Sequence, residues 1–437
     1  LAIVWHRDVP TETRKIDRDV LSSLGYRGTN SLPDDVVEKM EADRLSLSPR
    51  LRGKALDDWA AAWVDEHIDE KTQLSLGSWI ISRFKKGKSA IPLSVYDTLL
   101  TVSSREFEDQ AAVEAWINEQ GFDAEVRDQI IRAIPATEKQ ANDVILALDA
   151  ESGAEAWRFE VPGSPTGRGS SSTPAVADGI VVAALSDHLY GVDLASGQEK
   201  WRTELTGKRG PASSPLIHQS RVYLLENKLS AFDLATGESL WENKEVKSAN
   251  SSPAATGNLI LCNAGNGFYG VDAETGETKW TALGGGDGTP VVSGDIVVIT
   301  SRKDEANLIA YRLTDEAPEQ IWSQRFLARR YGASPIIFEG HVYHLGSSRH
   351  LCADLETGEI KWDREAQSSI SSPILADGKL LIYENRGGFL SMIAANPDEY
   401  QRLGRTKVGA LYCATPALVD QDVYIRTKES IVRFHLH

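Results

Sequence analysis

From residue 142 onward, short apolar runs of four to six residues alternate with polar turns, the pattern of half-buried strands rather than helices. Before it, two stretches carry apolar residues at helical spacing instead. Leu56, Trp59, Ala60, Trp63, Val64 and Ile68 recur at i, i+3, i+4, i+7 and i+8. Ser103 and Glu106 read as a capping box ahead of a helix carrying Val113, Trp116 and Ile117 that stops near Gly121, and Val126, Ile130, Ile131 and Ile134 mark one more. The pattern therefore predicts helical excursions over 12–76 and 104–137, either packed on a rim or acting as a lid or docking module.

The strand region repeats. Trp157, Trp201, Trp241, Trp280, Trp322 and Trp362 are separated by 44, 40, 39, 42 and 40 residues. Five of the six end a phrase D-x-x-S/T-G-x-x-x-W that begins at Asp149, Asp193, Asp233, Asp272 and Asp354. Such a phrase encodes a hairpin: the carboxylate can accept turn N–H groups, and glycine supplies the positive φ that closes the loop. A second phrase, small residues then proline, opens a strand at Pro174, Pro215, Pro253, Pro290, Pro335, Pro373 and Pro416. A period near 40 residues with four short strands per repeat predicts antiparallel propeller blades.

These phrases resemble the repeat of the pyrroloquinoline-quinone-like (PQQ-like) β-propellers, over roughly residues 142–437. The resemblance implies tryptophans docked between blades. It lies nearer the non-catalytic outer-membrane assembly lipoprotein type than the quinoprotein dehydrogenases. The expected fold is all-β: an eight-bladed β-propeller of four-stranded antiparallel blades, with an α-helical insertion in the first blade. Residues 1–9 are expected to form the strand that closes the last blade. Residues 10–141 form the mainly helical insertion, with blade-1 strands near 89–103, and residues 142–437 form the blades.

Charge narrows the functional classes. Lys plus Arg is 47 and Asp plus Glu is 63, so the net charge is 47 − 63 = −16, which disfavours a nucleic-acid partner. No apolar run approaches a transmembrane span. Cys262, Cys352 and Cys413 form neither a disulfide framework nor a zinc pattern and are read as buried thiols. Gly265-Asn266-Gly267-Phe268-Tyr269-Gly270 matches G-x-G-x-x-G but leads into a strand rather than a helix, against a dinucleotide site. His341, His344, His350 and Cys352 are read as structural, because residues three apart on a strand face opposite sides.

One pattern carries candidate chemistry. Six residues before the strand-opening prolines stand Arg168, Arg209, Lys247, Gly284, Arg329, Gln367 and Ala410, and Pro92 adds Lys86 by the same count. With Lys208 and Arg330 beside two of them, Lys86, Arg168, Lys208, Arg209, Lys247, Arg329 and Arg330 are predicted to ring the funnel of one face. They would attract an anionic small molecule or a protein segment. Ordinary solvated loop charge is the alternative.

The dehydrogenases of this family carry an adjacent Cys-Cys pair, and this chain has none. The expected function is a non-catalytic, extracytoplasmic binding or scaffold propeller, periplasmic or secreted, with its leader removed or omitted, and with no cofactor. The alternatives are a PQQ-dependent dehydrogenase-like enzyme and the sensor domain of a larger membrane protein.

Overall fold

The computed structural model describes all residues except 1, 27–33, 50, 53, 77–90, 104, 136–137, 164–171, 206–212, 248–249, 266, 304–305, 326–332, 347–348, 367–370, 385–387, 410–414, 428–429 and 436–437. The chain divides into two compact units, Leu1–Asp8 with Ala141–His437, and Val9–Gln140.

In the larger unit seven blades follow one another, each opened by one of the seven prolines: I (175–204), II (216–243), III (254–283), IV (291–324), V (336–365), VI (374–407) and VII (417–435). Blades I to VI have four antiparallel strands and blade VII has three. An additional three-stranded sheet, sheet A, combines Ala2–Thr11, Glu138–Leu148 and Glu155–Gly163. Among the described residues it has no short proline-led strand of the kind that begins a blade.

The expectation of eight four-stranded blades is therefore corrected to seven. Residues 1–9 do not supply the outer strand of the last blade either, because Ala2–Thr11 lies beside Glu138–Leu148. An apolar strand meets many similar edges, and local alternation does not select among them.

Within a blade the two middle strands are buried on both faces, as in Ile180–Ala184 and Val222–Leu225. Each strand pair buries hydrophobic side chains against the next blade, so the core runs between blades. The five Asp-led turns form as their residues dictate. In blade II, Asp233 Oδ1 accepts Ala235 N–H at 3.0 Å, Thr236 N–H at 2.8 Å and Thr236 Oγ1 at 2.9 Å. Glycine follows with φ of 70° at Gly153, Gly197 and Gly358, 71° at Gly237 and 75° at Gly276. These bonds hold the carboxyls below their usual range, led by the Thr236 hydroxyl at Asp233 and by the Ser152 N–H at Asp149.

The tryptophan that follows each turn reaches the next repeat. Indole Nε1 donates to Leu194 O from Trp157, to Leu234 O from Trp201, to Ala273 O from Trp241, to Leu355 O from Trp322 and to Asn396 O from Trp362, at 2.8–3.2 Å. Trp280 differs: blade IV turns through Thr314-Asp315-Glu316-Ala317-Pro318 without the Asp-Gly phrase, and the Trp280 ring packs edge-on against Phe268 within its own blade.

The smaller unit contains seven described helices: α1 (Arg18–Ser23), α2 (Asp34–Ser46), α3 (Lys54–His67), α4 (Glu70–Leu76), α5 (Leu93–Leu100), α6 (Gln110–Glu119) and α7 (Ala124–Ala133). Trp63 and Val64 of α3 pack on Met40 of α2. Strands expected near 89–103 are replaced by α5. Pro92 is the N-cap residue, with no N–H to satisfy, and Val95, Tyr96 and Leu99 form one buried face. The capping box at Ser103 and Glu106 does not form. Glu106 sits in a two-residue strand, and Asp109 caps α6 by accepting Ala112 N–H at 2.8 Å.

Candidate functional site at the proline-led strands

The first strands of neighbouring blades, such as Ala175–Ala177 and Leu216–His218, lie against one another, which places them innermost around the axis. The residue before each proline stands at the rim where the preceding loop arrives, and in all seven blades it is Ser or Thr. Proline holds that residue extended. Its N–H is then directed sideways, to the hydroxyl at the same position one blade on: Thr173 N–H to Ser214 Oγ at 2.9 Å, Ser214 N–H to Ser252 Oγ at 2.9 Å, Thr289 N–H to Ser334 Oγ at 2.9 Å, and Ser334 N–H to Ser372 Oγ at 3.1 Å. The residue directly before the proline is thus a hydroxyl in every phrase, a feature that the sequence pattern displays but that its reading as merely small residues missed.

Of the seven basic residues singled out, Lys86, Arg168, Lys208, Arg209, Arg329 and Arg330 lie outside the described residues. Lys247 is described and exposed. The segment leading to it is fastened by Asn243, whose Oδ1 accepts Glu245 N–H at 2.9 Å and whose Nδ2 donates to Gly276 O at 2.8 Å. The interruption of the basic pattern at Gly284 has a steric cause: a Cβ there would lie 2.8 Å from Phe268 Cβ. The loop 284–288 is instead drawn inward by Asn263. This fully buried side chain accepts Gly285 N–H at 2.9 Å and donates to Thr300 O at 2.7 Å and Gly288 O at 3.2 Å. Asp287 beside it accepts from Asn250 at 3.0 Å and pairs with Arg302.

Two further buried carboxylates went unrecognised in the sequence, where each stands at one end of an apolar run. Glu384 accepts Ser391 Oγ at 2.8 Å and Arg405 at 2.6 Å, and the Arg405 guanidinium stacks 3.8 Å from the Phe389 ring. Asp143 accepts Ser186 N–H at 2.8 Å and the Ser186 hydroxyl. These pairings satisfy the charges where they stand and tie strands together.

The histidines are spread along one hairpin, with His341 opposite Asp354 and His350 opposite Leu345. Burial pushes His344 down to about 3 and His350 down to about 4. Burial raises both described thiols, Cys352 to about 12 and Cys262 further. Gly267–Asp272 of the glycine phrase is a strand paired with Leu259–Ala264, which is not a dinucleotide-binding turn. Among the described residues no three His, Cys, Asp or Glu side chains are placed to hold a metal ion. Among them also, no helix is long and apolar enough to cross a membrane.

Four-stranded blades, turn-bound aspartates and indoles reaching into the next repeat define a PQQ-like β-propeller. The chain belongs to the family described as outer membrane protein assembly factor BamB, whose model matches residues 82–282, 211–396 and 269–432. No curated protein matches it. Among solved structures it is similar to BamB from Moraxella catarrhalis, at 15% identity and a TM-score of 0.55, covering 66% of this chain and 90% of that one. It is also similar to a europium-containing methanol dehydrogenase, at 12% identity and a TM-score of 0.53, covering 65% and 80%. A computationally designed protein, Ika8, is similar at 13% identity and a TM-score of 0.52, covering 68% and 93%. At these identities the likeness is one of fold.

Proposed function

We propose that the chain is a non-catalytic binding propeller that works outside the cytoplasm and docks a protein segment, or an anionic ligand, at the face where the proline-led strands begin. The observation that carries this reading is the match, over most of the chain, to a family described as an outer-membrane assembly factor. The rim of half-buried hydroxyls fixed between blades supports it as a rigid frame for loops that bind. The basic residues Lys86, Arg168, Lys208, Arg209, Lys247, Arg329 and Arg330 supply the attraction. A fluorescein-labelled poly-glutamate peptide tests this. The unchanged chain should bind it with a strong salt dependence, and Arg168→Ala/Arg209→Ala/Arg329→Ala should abolish binding. Retained binding with the same salt dependence would refute the funnel assignment.

The similarity to a methanol dehydrogenase favours a second reading, a quinone-dependent dehydrogenase. It is tested by titrating pyrroloquinoline quinone, with and without calcium, while following thermal unfolding. A ligand at 100 times its Kd adds about 2.7 kcal/mol. A saturable, calcium-dependent rise in Tm supports the enzyme, and an unchanged Tm removes it.

A further inference from the structure

The first strand of each blade runs from its proline to a two-residue hairpin turn, so these turns stand at the end of the propeller opposite the hydroxyl rim. At blades II and III the neighbouring turns are joined. His218 Nε2 and Gln219 Nε2 both donate to Gly257 O, at 2.8 and 3.3 Å. The register places Phe338 and Glu339 of blade V where His218 and Gln219 stand in blade II, and Asp377 of blade VI where Gly257 stands in blade III. A phenyl ring and a carboxylate have no proton to give that carbonyl. Between these two turns lies a cleft of about 570 Å³, with Phe338, Leu375, Ala376 and Ala395 as its apolar lining and the exposed Glu339 and Asp377 beside them.

Charge at this end of the strands is of one sign. Asp178, Glu339, Asp377 and Asp420 occupy the same turn position in blades I, V, VI and VII, with φ of 49°, 45°, 47° and 52°, and no lysine or arginine holds that position in any blade. Asp377 is paired with Lys379 of its own hairpin, whereas among the described residues no cation pairs with Glu339. Phe338, Leu375 and Ala395 pack on the core between blades V and VI by one side and are only half-buried. The apolar surface extends to blade VII, whose first strand lies against that of blade VI and ends in Val419, 49% exposed. Every turn at this end of blades I to VI is described.

We propose that this cleft docks an extended, positively charged segment of a partner protein, which lays an arginine across Phe338 with its guanidinium against Glu339 and Asp377 and seats a neighbouring apolar side chain on Leu375 and Ala395. Arginine fits both halves of the surface. Its planar guanidinium stacks on aromatic faces and bonds carboxylates through parallel N–H groups, and its methylene stem covers apolar lining. An anionic occupant would meet like charge, and a purely apolar one would strip water from the carboxylates without replacing it. Residues 77–90 of this chain include Trp79, Arg83, Lys85, Lys86 and Lys88 and no acid, which makes them the internal competitor. The cleft lies at the opposite end of the strands from the funnel reading above and does not rest on it.

The probe is a fluorescein-labelled peptide, Ser-Leu-Arg-Ser-Leu-Arg-Ser, titrated by fluorescence anisotropy against the full chain. Saturable binding is expected. Replacing the peptide's arginines with glutamine, or Phe338→Leu or Glu339→Gln in the chain, should weaken it about tenfold or more. Phe338→His/Glu339→Gln reproduces the residues that join blades II and III, and should close the cleft and abolish binding without lowering Tm. Glu316→Gln removes an exposed carboxylate from another turn at the same end and should change Kd by less than about twofold. Absent binding, or binding indifferent to Phe338→His/Glu339→Gln, overturns the proposal. An equal loss with Glu316→Gln overturns it too, since that would mean general attraction to an acidic protein. The internal competitor is tested with Arg83→Ser/Lys85→Ser/Lys86→Ser/Lys88→Ser. An unchanged Kd supports an external partner, whereas binding about tenfold tighter would mean that residues 77–90 already occupy the cleft, and would overturn the proposal.

Discussion

Gly237 and Gly153 have nearly identical backbones, with φ of 71° and 70°, and differ in what covers them. Substituting each with alanine separates backbone strain from indole contact. An alanine held left-handed costs about 1–2 kcal/mol, offset by about 0.4–1 kcal/mol through the stiffer unfolded chain, so Gly153→Ala should lose at most about 1.5 kcal/mol. At Gly237 the new methyl also meets Trp201, and that ring has nowhere to go. Its other face lies on Gly191, where a Cβ would also collide, and its Nε1 is fixed to Leu234 O at 2.9 Å. Overpacking of this kind adds about 1–3 kcal/mol. In domains of 150–250 residues 1 kcal/mol moves Tm by about 2–4 °C, so scanning calorimetry should place Gly237→Ala several degrees below Gly153→Ala. Equal losses would refute the reasoning, since they would mean that an aromatic ring covers both turns.

Acid should destabilise blade V through its buried histidines. His344 and His350 titrate at about 3 and 4 when folded and near 6.5 when unfolded, so below pH 6.5 only the unfolded chain takes up these protons. Each should remove about 2 kcal/mol between pH 8 and pH 5, and His344→Leu/His350→Leu should show a smaller fall in Tm over that window; an unchanged fall counts against the assignment. Ser214→Ala removes the acceptor for Thr173 N–H, which water can still reach, and should cost about 0.5–1.5 kcal/mol in urea unfolding, with Ser214→Thr restoring most of it.

The repeat was legible because its phrases encode local chemistry. An aspartate four residues before a glycine, with Ser or Thr between them, can satisfy a turn's N–H groups in only a few ways, and all five turns close alike. Partner choice was not legible. Residues 89–92 offer Ser, Ala, Ile and Pro much as a blade opening does, yet proline starts a helix as readily as a strand, and the apolar residues 95, 96 and 99 then decide for the helix. Asn263 was hidden for a related reason. A lone amide in Leu261-Cys262-Asn263-Ala264 becomes a hub only because blade IV, some 25 residues on, brings Gly285, Gly288 and Thr300 to it.

Trp280 has no Asp-Gly turn to reach, and among the described residues no indole bonds across from blade III to blade IV or from blade VI to blade VII. The circuit is accordingly laced in two arcs. One runs from sheet A through blade III on Trp157, Trp201 and Trp241, and the other from blade IV through blade VI on Trp322 and Trp362. Repeat proteins hold together by nearest-neighbour interfaces, so the amide hub of Asn263 is a seam of different chemistry set between two indole-stitched halves. Leu261, Phe268 and Trp280 pack with Val297, Ile299 and Tyr311 across that same seam, so it is held by apolar packing and amide bonding, where the junctions within each arc add an indole bond.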